Sequence, residues 1–246
     1  MPVTLRPWHR YATTANVIAQ TGIIITGAIV RVTSSGLGCP TWPECVDGSI
    51  TPTSAQTEAW HKYVEFGNRL LTSVLVIVAA ITIVAMVQHN RALVSAGYRK
   101  VKSIVGLALA CFAGIFIQAI LGGITVLTGL NPLTVAAHFL VSIVLVAIAY
   151  QLWWILRADD STPTTTSPWV KRAVGIHTFV AFVVLVLGTL VTGTGPHAGD
   201  TAEITRLPFD PRIISWIHAD AVLLFIGLTI GLALAFTINS EFGDLR

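Results

Sequence analysis

The stretch LTSVLVIVAAITIVA, residues 71–85, decides the class of fold. It contains no charged residue, no glycine and no proline, and it lies within a longer apolar run near 66–88. Valine and isoleucine would favour a β-strand in water, but strands rarely continue this long without a turn. A helix that crosses a bilayer explains the length, because lipid offers no partner for unpaired backbone groups.

The rest of the chain repeats this pattern. Of the 246 residues, 54% are hydrophobic and 11% are charged, against about 25% charged residues in a typical soluble domain. This composition excludes a disordered chain, a collagen-like chain and an ordinary soluble enzyme. It predicts an all-α polytopic membrane protein with six transmembrane helices, near 12–33, 66–88, 104–128, 133–156, 171–194 and 213–238.

The distribution of basic residues predicts the orientation. If the N-terminus is cytoplasmic, ten of the fifteen Lys and Arg residues lie in cytoplasmic segments, as the positive-inside rule requires. Two long loops, 34–64 and 195–212, then lie outside and are expected to carry function. The net charge is only +3 and no basic stripe is present, which excludes a nucleic-acid partner and leaves the lipid bilayer as the expected surroundings.

A weak internal repeat suggests how the spans are grouped. Span one ends in Gly27–Thr33 and span five ends similarly in Gly188–Thr194, although chance recurrence of Gly, Val and Thr is an equal explanation. A real repeat would have a unit of four helices. The chain would then divide into a first four-helix bundle, 1–160, which includes the outer loop, and part of a pseudo-symmetric second bundle, 161–246.

Histidines inside the predicted spans are the first candidates for chemistry. His138 lies in span four and His218 near the start of span six, where ionisable groups are costly and often functional. A neutral imidazole can hold haem iron, so a haem or metal site is expected, with a bond to a neighbouring helix as the alternative. His177 is interpreted as structural. His9 and His89 flank their spans and are expected to be solvated.

Span two begins with three polar residues on one helical face. Glu65, Asn68 and Arg69 stand at i, i+3 and i+4. A Glu beside a cofactor can transfer protons, whereas an ion pair with Arg69 is the simpler alternative. Arg31 and Arg69 are candidate donors to carboxylates such as haem propionates. His197, in the second outer loop, is a further candidate.

The cysteines and one glutamine allow two readings each. Cys39 and Cys45 lie six residues apart in the first outer loop, where a disulfide can persist. A redox-active thiol pair is the alternative, although the spacing is not C-x-x-C. Cys111 lies in the middle of a span and is expected to pack. Gln118, near two glycines in span three, is expected to bond across helices or to contact a ligand.

Residues 27–45, GAIVRVTSSGLGCPTWPEC, resemble the first outer loop of haem A synthases, G-x-x-x-R-x-T-x-S-G-L-x-C-x-x-W-P-x-C. Residues 118–126 and 193–200 resemble two further segments of that family. The resemblance implies eight helices in two tandem four-helix bundles, each with a haem position between histidines of its second and fourth helices. It implies a plasma-membrane oxidoreductase that converts haem O into haem A for cytochrome c oxidase, with water as the oxygen source.

The resemblance also assigns roles to residues. His138 corresponds to an iron ligand of the substrate haem, and His218 to a ligand of a haem b bound in the second half. Glu65 corresponds to the catalytic carboxylate that begins the family motif E-x-x-H-R. Cys39 and Cys45 correspond to a disulfide-forming pair. The implied partners are haem O, the haem O synthase, an electron-transfer partner and a second copy of the chain.

Two departures from the family pattern stand out. Asn68 replaces the motif histidine, so that His138 holds the substrate haem alone, His61 supplies a second ligand, or haem binds differently. The chain stops after six spans, which leaves His218 without a ligand partner and predicts a truncated chain. The alternative functions are a non-catalytic b-type cytochrome and a haem-handling assembly protein with structural histidines.

Overall fold

The computed structural model describes residues 6–98, 101–157, 168–196, 199–200 and 204–243. Over these ranges every regular element is a helix, and six of the helices are long and apolar enough to cross a membrane. The predicted all-α polytopic membrane fold is therefore confirmed. The helices are α1 Pro7–Val32, α2 His61–Ser95, α3 Lys102–Leu127, α4 Pro132–Ile155, α5 Pro168–Thr194 and α6 Pro211–Gly243.

Local sequence explains where several helices begin. A proline stands at the first position of α1, α4, α5 and α6, where its missing N–H would have no helical partner. The side chain of Asn131 accepts a hydrogen bond from the N–H of Leu133 at 3.0 Å. Asp210 accepts from the N–H groups of Arg212 and Ile213 at 2.8 and 3.1 Å. These side chains cap α4 and α6.

The chain divides into two units, and the first contains a closed four-helix bundle. This unit comprises Met1–Ser161 and His197–Thr205. Helix α1 packs against α2 and α4, and α3 packs against the same two helices. We call the end of the bundle where α4 finishes the Arg157 end. The opposite end, which residues 33–60 cover, is the loop end, and these residues are the cysteine loop.

Arg157 joins the start of α1 to the end of α4 at the Arg157 end. Its guanidinium donates to the hydroxyl oxygens of Thr13 and Thr14 at 3.2 and 2.8 Å. It also donates to the carbonyl oxygens of Arg10 at 2.9 Å and Trp153 at 3.1 Å. Because these groups belong to α1 and α4, the interactions close the ring of helices.

The second unit contains α5 and α6, which pack against each other. The Nε2 atom of His177 lies 2.8 Å from the hydroxyl oxygen of Thr229. That hydroxyl donates to the carbonyl of Phe225 at 2.8 Å, so it accepts from the imidazole N–H. The His177 ring also stacks on Phe225, with the ring centroids 4.6 Å apart. These contacts join α5 to α6 and agree with the structural interpretation of His177.

The expectation that His9 and His89 are solvated is wrong. Their exposed fractions are 3% and 1%, and their ring centroids are 5.7 Å apart. The physical reason is the length of the helices. Helix α1 begins at Pro7 rather than 12, and α2 continues to Ser95 rather than 88, so both rings lie inside the packed bundle.

Candidate functional site

The two cysteines of the cysteine loop are bonded to each other. Cys39 and Cys45 form a disulfide with an S–S distance of 2.04 Å and a Cα–Cα distance of 4.3 Å. Both residues are fully buried. The structure therefore contains the predicted disulfide and not a pair of thiols, and the bridge closes a short turn against the start of α2.

A buried ion pair on α2 holds this turn in place. The carboxylate of Glu65 accepts from the N–H of Cys39 at 2.6 Å and from Arg69 Nε and Nη2 at 3.1 and 2.5 Å. Arg69 also donates to the carbonyl oxygens of Cys39 at 2.7 Å, Thr41 at 3.0 Å and Glu44 at 3.0 Å. The Glu–Arg pair suggested by the sequence is thus present, and it binds the backbone of the cysteine loop.

The burial of this pair is uneven. The side chain of Glu65 is 7% exposed and that of Arg69 is 22% exposed. Both carboxylate oxygens of Glu65 have donors, so the buried negative charge is balanced and held in one orientation. The arrangement suits a fixed charge near the loop end of the bundle.

Lys62 is a residue of this site that sequence reasoning missed. It is 5% exposed, and its Nζ donates to the carbonyl oxygens of Thr53 at 2.8 Å and Gln56 at 3.2 Å. The Gln56 amide nitrogen donates in turn to the carbonyl of Gly38 at 3.2 Å. Lys62 precedes Glu65 by three positions on the same face of α2, and this spacing was the available signal.

Glycines allow the cysteine loop to approach the helices closely. A Cβ atom built on Gly123 of α3 would overlap the indole of Trp42. A Cβ atom on Gly38 would lie 2.5 Å from the carbonyl oxygen of His61. The loop therefore packs directly on α2 and α3. The contact between Gly123 and Trp42 was not predicted from the sequence.

His61 lies at the first position of α2, beside the cysteine loop. Its Nδ1 is 3.0 Å from the hydroxyl oxygen of Ser35, and its ring stacks on Trp60 with centroids 4.1 Å apart. Asp200, from the segment between α5 and α6, accepts from the N–H of Leu37 at 3.1 Å. The first unit thus includes part of the second predicted outer loop. His197 lies outside the described residues.

A second group of polar residues lies deeper in the bundle. Asn68 is about 10 Å and His138 about 9 Å along their helices from the loop end, at 1.5 Å per residue. The Asn68 side-chain oxygen accepts from the hydroxyl of Thr26 at 2.7 Å. Gln118 donates to the carbonyl of His138 at 2.9 Å and to the hydroxyl of Ser142. Asn68 and His138 thus lie at one level of the four-helix bundle.

The imidazole of His138 is available for a ligand. Its Nδ1 is buried and has no hydrogen-bond partner. The ring faces Gly122 of α3, where a Cβ atom would lie 3.3 Å from the imidazole Cε1. In the second unit, the Nδ1 of His218 also lacks a partner, and a Cβ on Gly188 would lie 3.4 Å from that ring. Each unit therefore holds an imidazole that lies against a glycine and whose Nδ1 has no partner.

These residues fit haem better than a bare metal ion. Within the described ranges no three His, Cys, Asp or Glu side chains are grouped as metal ligands. Haem needs only one or two axial ligands because the porphyrin supplies the other four. His138 and His218 each supply one imidazole, which meets that requirement.

Fold and site together define a helical multi-pass membrane protein with a buried imidazole nitrogen in a four-helix bundle that a disulfide-closed loop covers. Residues 10–199 match the family model COX15-CtaA, described as "Cytochrome oxidase assembly protein". The chain belongs to this family.

Several bacterial relatives carry the name Heme A synthase. The chain is 30% identical over 195 residues to that of Lysinibacillus sphaericus, which covers 76% of this chain and 58% of the relative. It is 31% identical over 183 residues to that of Alkalihalophilus pseudofirmus, covering 72% and 56%. It is 30% identical over 136 residues to that of Geobacillus kaustophilus, covering 55% and 39%. The chain thus spans about half the length of the relatives it matches.

Proposed function

We propose that this protein acts as a haem A synthase, which oxidises a ring methyl of haem O to the formyl group of haem A for cytochrome c oxidase biogenesis. The observation that carries the proposal is the buried Nδ1 of His138, which has no hydrogen-bond partner in a ring that faces Gly122. Family membership and the names of the relatives support it. In this proposal the first unit binds the substrate.

His138 binds the iron of haem O and thereby fixes the ring that carries the methyl group. We assign this role to His138 alone. His61 begins α2 about 10 Å from the level of Asn68, and its Nδ1 is bonded to Ser35. The side-chain oxygen of Asn68 is bonded to Thr26. His138 would therefore be the one protein side chain of this unit that holds the iron of the substrate.

His218 binds haem b in the second unit of the proposed enzyme. When bound, haem b supplies one-electron transfer. The imidazole of His218 would hold that haem from α6, and the absence of a side chain at Gly188 leaves space beside this imidazole. Electrons from the substrate pass to an electron-transfer partner of the protein.

Glu65 acts as the fixed negative charge of the reaction site. Each oxidation of the methyl carbon develops positive charge, and a preorganised carboxylate stabilises such charge. Three donated hydrogen bonds from Arg69 and Cys39 hold the carboxylate in one orientation. We therefore favour this role of Glu65 over that of a mobile proton acceptor. Water supplies the oxygen, and the oxidation releases protons and electrons.

The propionates of haem are the proposed ligands of the basic residues near the loop end. Arg31 lies in the last turn of α1 and Arg69 in α2, and His197 is the third candidate. Arg69 already binds three carbonyl oxygens of the cysteine loop, so its proposed contribution is to position the loop beside the propionates. Gln118 positions α4 through its bond to the carbonyl of His138.

The test is a haem-binding and product assay on the full chain. Membranes from cells that make haem O are extracted, and haem O and haem A are separated by chromatography, while the purified protein is titrated with haem O. His138→Ala should weaken haem O binding at least tenfold and abolish haem A. The matched control, His177→Ala, removes a membrane histidine that bonds Thr229 and should leave both readouts within twofold.

Glu65→Gln keeps the size of the side chain and removes its charge. It should retain haem O binding and lower haem A formation at least tenfold. Wild-type haem A formation by His138→Ala would overturn the assignment of the substrate haem. A protein that binds haem with a normal Soret band and never forms haem A would instead be a b-type cytochrome.

A further inference from the structure

A row of buried polar side chains runs along the inner face of α1. His9, Thr13, Asn16 and Gln20 stand at i, i+4, i+7 and i+11, which places them on one helical face. Each is at most 3% exposed. The row covers about 17 Å of the helix axis, beginning at the Arg157 end. Membrane helices rarely bury so many polar groups without a function.

Neighbouring helices extend this row toward the proposed haem pocket. His89 of α2 faces His9, with ring centroids 5.7 Å apart. Cys111 of α3 is fully buried and lies beside the side chain of Asn16. Gln118 follows Cys111 by seven positions on the same face of α3, and it bonds the carbonyl of His138. We call this set the polar file: His9, Thr13, Asn16, Gln20, His89, Cys111 and Gln118.

Most members of the polar file have a buried polar atom without a partner. These atoms are His9 Nδ1 and Nε2, Asn16 Nδ2, Gln20 Nε2, His89 Nε2 and Gln118 Oε1. Each unpaired buried polar group costs about 1–3 kcal/mol. Six such atoms along one path are compatible with a stable bundle only if small polar molecules bond them, and water is the molecule that buried polar groups retain.

The charges around the polar file favour water over a metal cation. Arg157 donates to Thr13 and to the carbonyl of Arg10, so positive charge lies at the entrance. The file contains no Asp or Glu. A cation would meet this positive charge without an anionic ligand. A row of neutral hydrogen-bond donors and acceptors can instead bind a chain of water molecules.

Toward the loop end of the bundle, the polar file ends near the level of His138. Gln20 lies about 18 Å from the loop end along α1, and Gln118 lies about 14 Å from it along α3. Gln20 offers an unpaired donor and Gln118 an unpaired acceptor, which are the two kinds of group that a chain of water molecules bonds. Gln118 then connects to the backbone of His138 at 2.9 Å.

We propose that the polar file holds a chain of water molecules that carries protons between the Arg157 end and the pocket at His138. His9 and His89 exchange protons at the entrance, because neutral imidazole can accept a proton on one nitrogen and release it from the other. The use of these protons rests on the proposed function, since oxidation of a methyl group with water releases protons. The hydration of the polar file does not depend on that function.

The test uses Cys111 as a native reporter of water. The sequence has three cysteines, two of which form the disulfide, so Cys111 carries the only thiol. Its S–H stretching band is read by infrared spectroscopy after the full chain in lipid nanodiscs is transferred to D₂O. The Cys111→Ser variant identifies the band. We expect the wild-type thiol to exchange its hydrogen within the mixing time.

The double variant Asn16→Leu/Gln20→Leu replaces two members of the polar file with apolar side chains. It should slow thiol exchange at least tenfold. Gln151→Leu, on the exposed face of α4, is the matched control and should exchange like the wild type. Equal rates in wild type and double variant would overturn the inference. A wild-type thiol that fails to exchange over hours would also overturn the inference. That result does not depend on whether the double variant folds.

A second readout separates hydration from proton transfer. The double variant should form haem A at least fivefold more slowly than Gln151→Leu. Slow thiol exchange with an unchanged rate of haem A formation would overturn the proton route. A wild-type chain with rapid thiol exchange that makes no haem A would overturn the proposed function instead, so the two failures are distinguishable.

Discussion

Replacing Arg69 with methionine tests whether the ion pair on α2 holds the cysteine loop. Methionine fills much of the same space and removes all five hydrogen bonds that the guanidinium donates. The substitution leaves the Glu65 carboxylate at 7% side-chain exposure without its counter-ion. It also leaves three loop carbonyls without their donor.

The magnitude follows from this burial. Breaking a buried ion pair by removing one partner costs about 3–5 kcal/mol. We expect the lower end, about 3 kcal/mol, because the Arg69 side chain is 22% exposed and water reaches part of it. A loss of about 3 kcal/mol corresponds to roughly a hundredfold increase in the population of the opened loop. Arg69→Lys keeps the charge without the planar fork and should cost about 1–2 kcal/mol.

Amide hydrogen exchange measures the opening directly. The N–H of Cys39 donates to Glu65 at 2.6 Å, so peptides that contain it report the state of the loop. Mass spectrometry of the full chain in nanodiscs should show exchange of this amide about a hundredfold faster in Arg69→Met. Arg91→Met, an exposed position on the same helix, is the control. A change of less than threefold in Arg69→Met would refute the reasoning.

Three further perturbations have outcomes that the packing predicts. Gly123→Ala places a methyl group against the indole of Trp42 and should lower the free energy of unfolding by about 1–3 kcal/mol. The control Gly106→Ala adds a methyl group where there is open space and should leave the melting temperature unchanged. Equal melting temperatures for the two variants would contradict the prediction. Arg157→Met removes three hydrogen bonds from the end of α4 to α1 and should speed amide exchange at the start of α1. Unchanged exchange there would show that other contacts close the bundle. The Cys39→Ala/Cys45→Ala variant loses a short covalent loop and should lose about 2 kcal/mol, seen as faster exchange confined to the cysteine loop.

The helices could be predicted because the bilayer imposes a minimum apolar length on each span. Hydropathy failed only at helix ends, where polar residues continue the helix. Helix α2 extends to His61 at one end and Ser95 at the other, although both flanks are polar. Contacts with the cysteine loop at one end and with α1 at the other keep these turns helical. Hydropathy does not predict such tertiary contacts.

Part of the candidate site could be predicted from the spacing of residues along a helix. Glu65 and Arg69 were expected on one face because residues four apart are neighbours on a helix. The partners of Arg69 among the loop carbonyls were not predictable, since they lie 25–30 positions away in sequence. The contact between Trp42 and Gly123 was not predictable either, because these residues are also far apart in sequence. No local pattern specifies which loop residue reaches which helix.

The sequence by itself determined the number and type of spans and the family, because apolar length and a motif such as residues 27–45 are properties of contiguous segments. Only the tertiary structure decided which polar groups are buried and what they bind. His9 and His89 looked like solvated flanks and prove to be core residues. Arg69 was a candidate donor to haem propionates or a partner of Glu65, and its bonds to the carbonyls of the cysteine loop appear only in the structure. Burial and hydrogen bonding depend on neighbours from distant segments, and those neighbours exist only once the helices have packed.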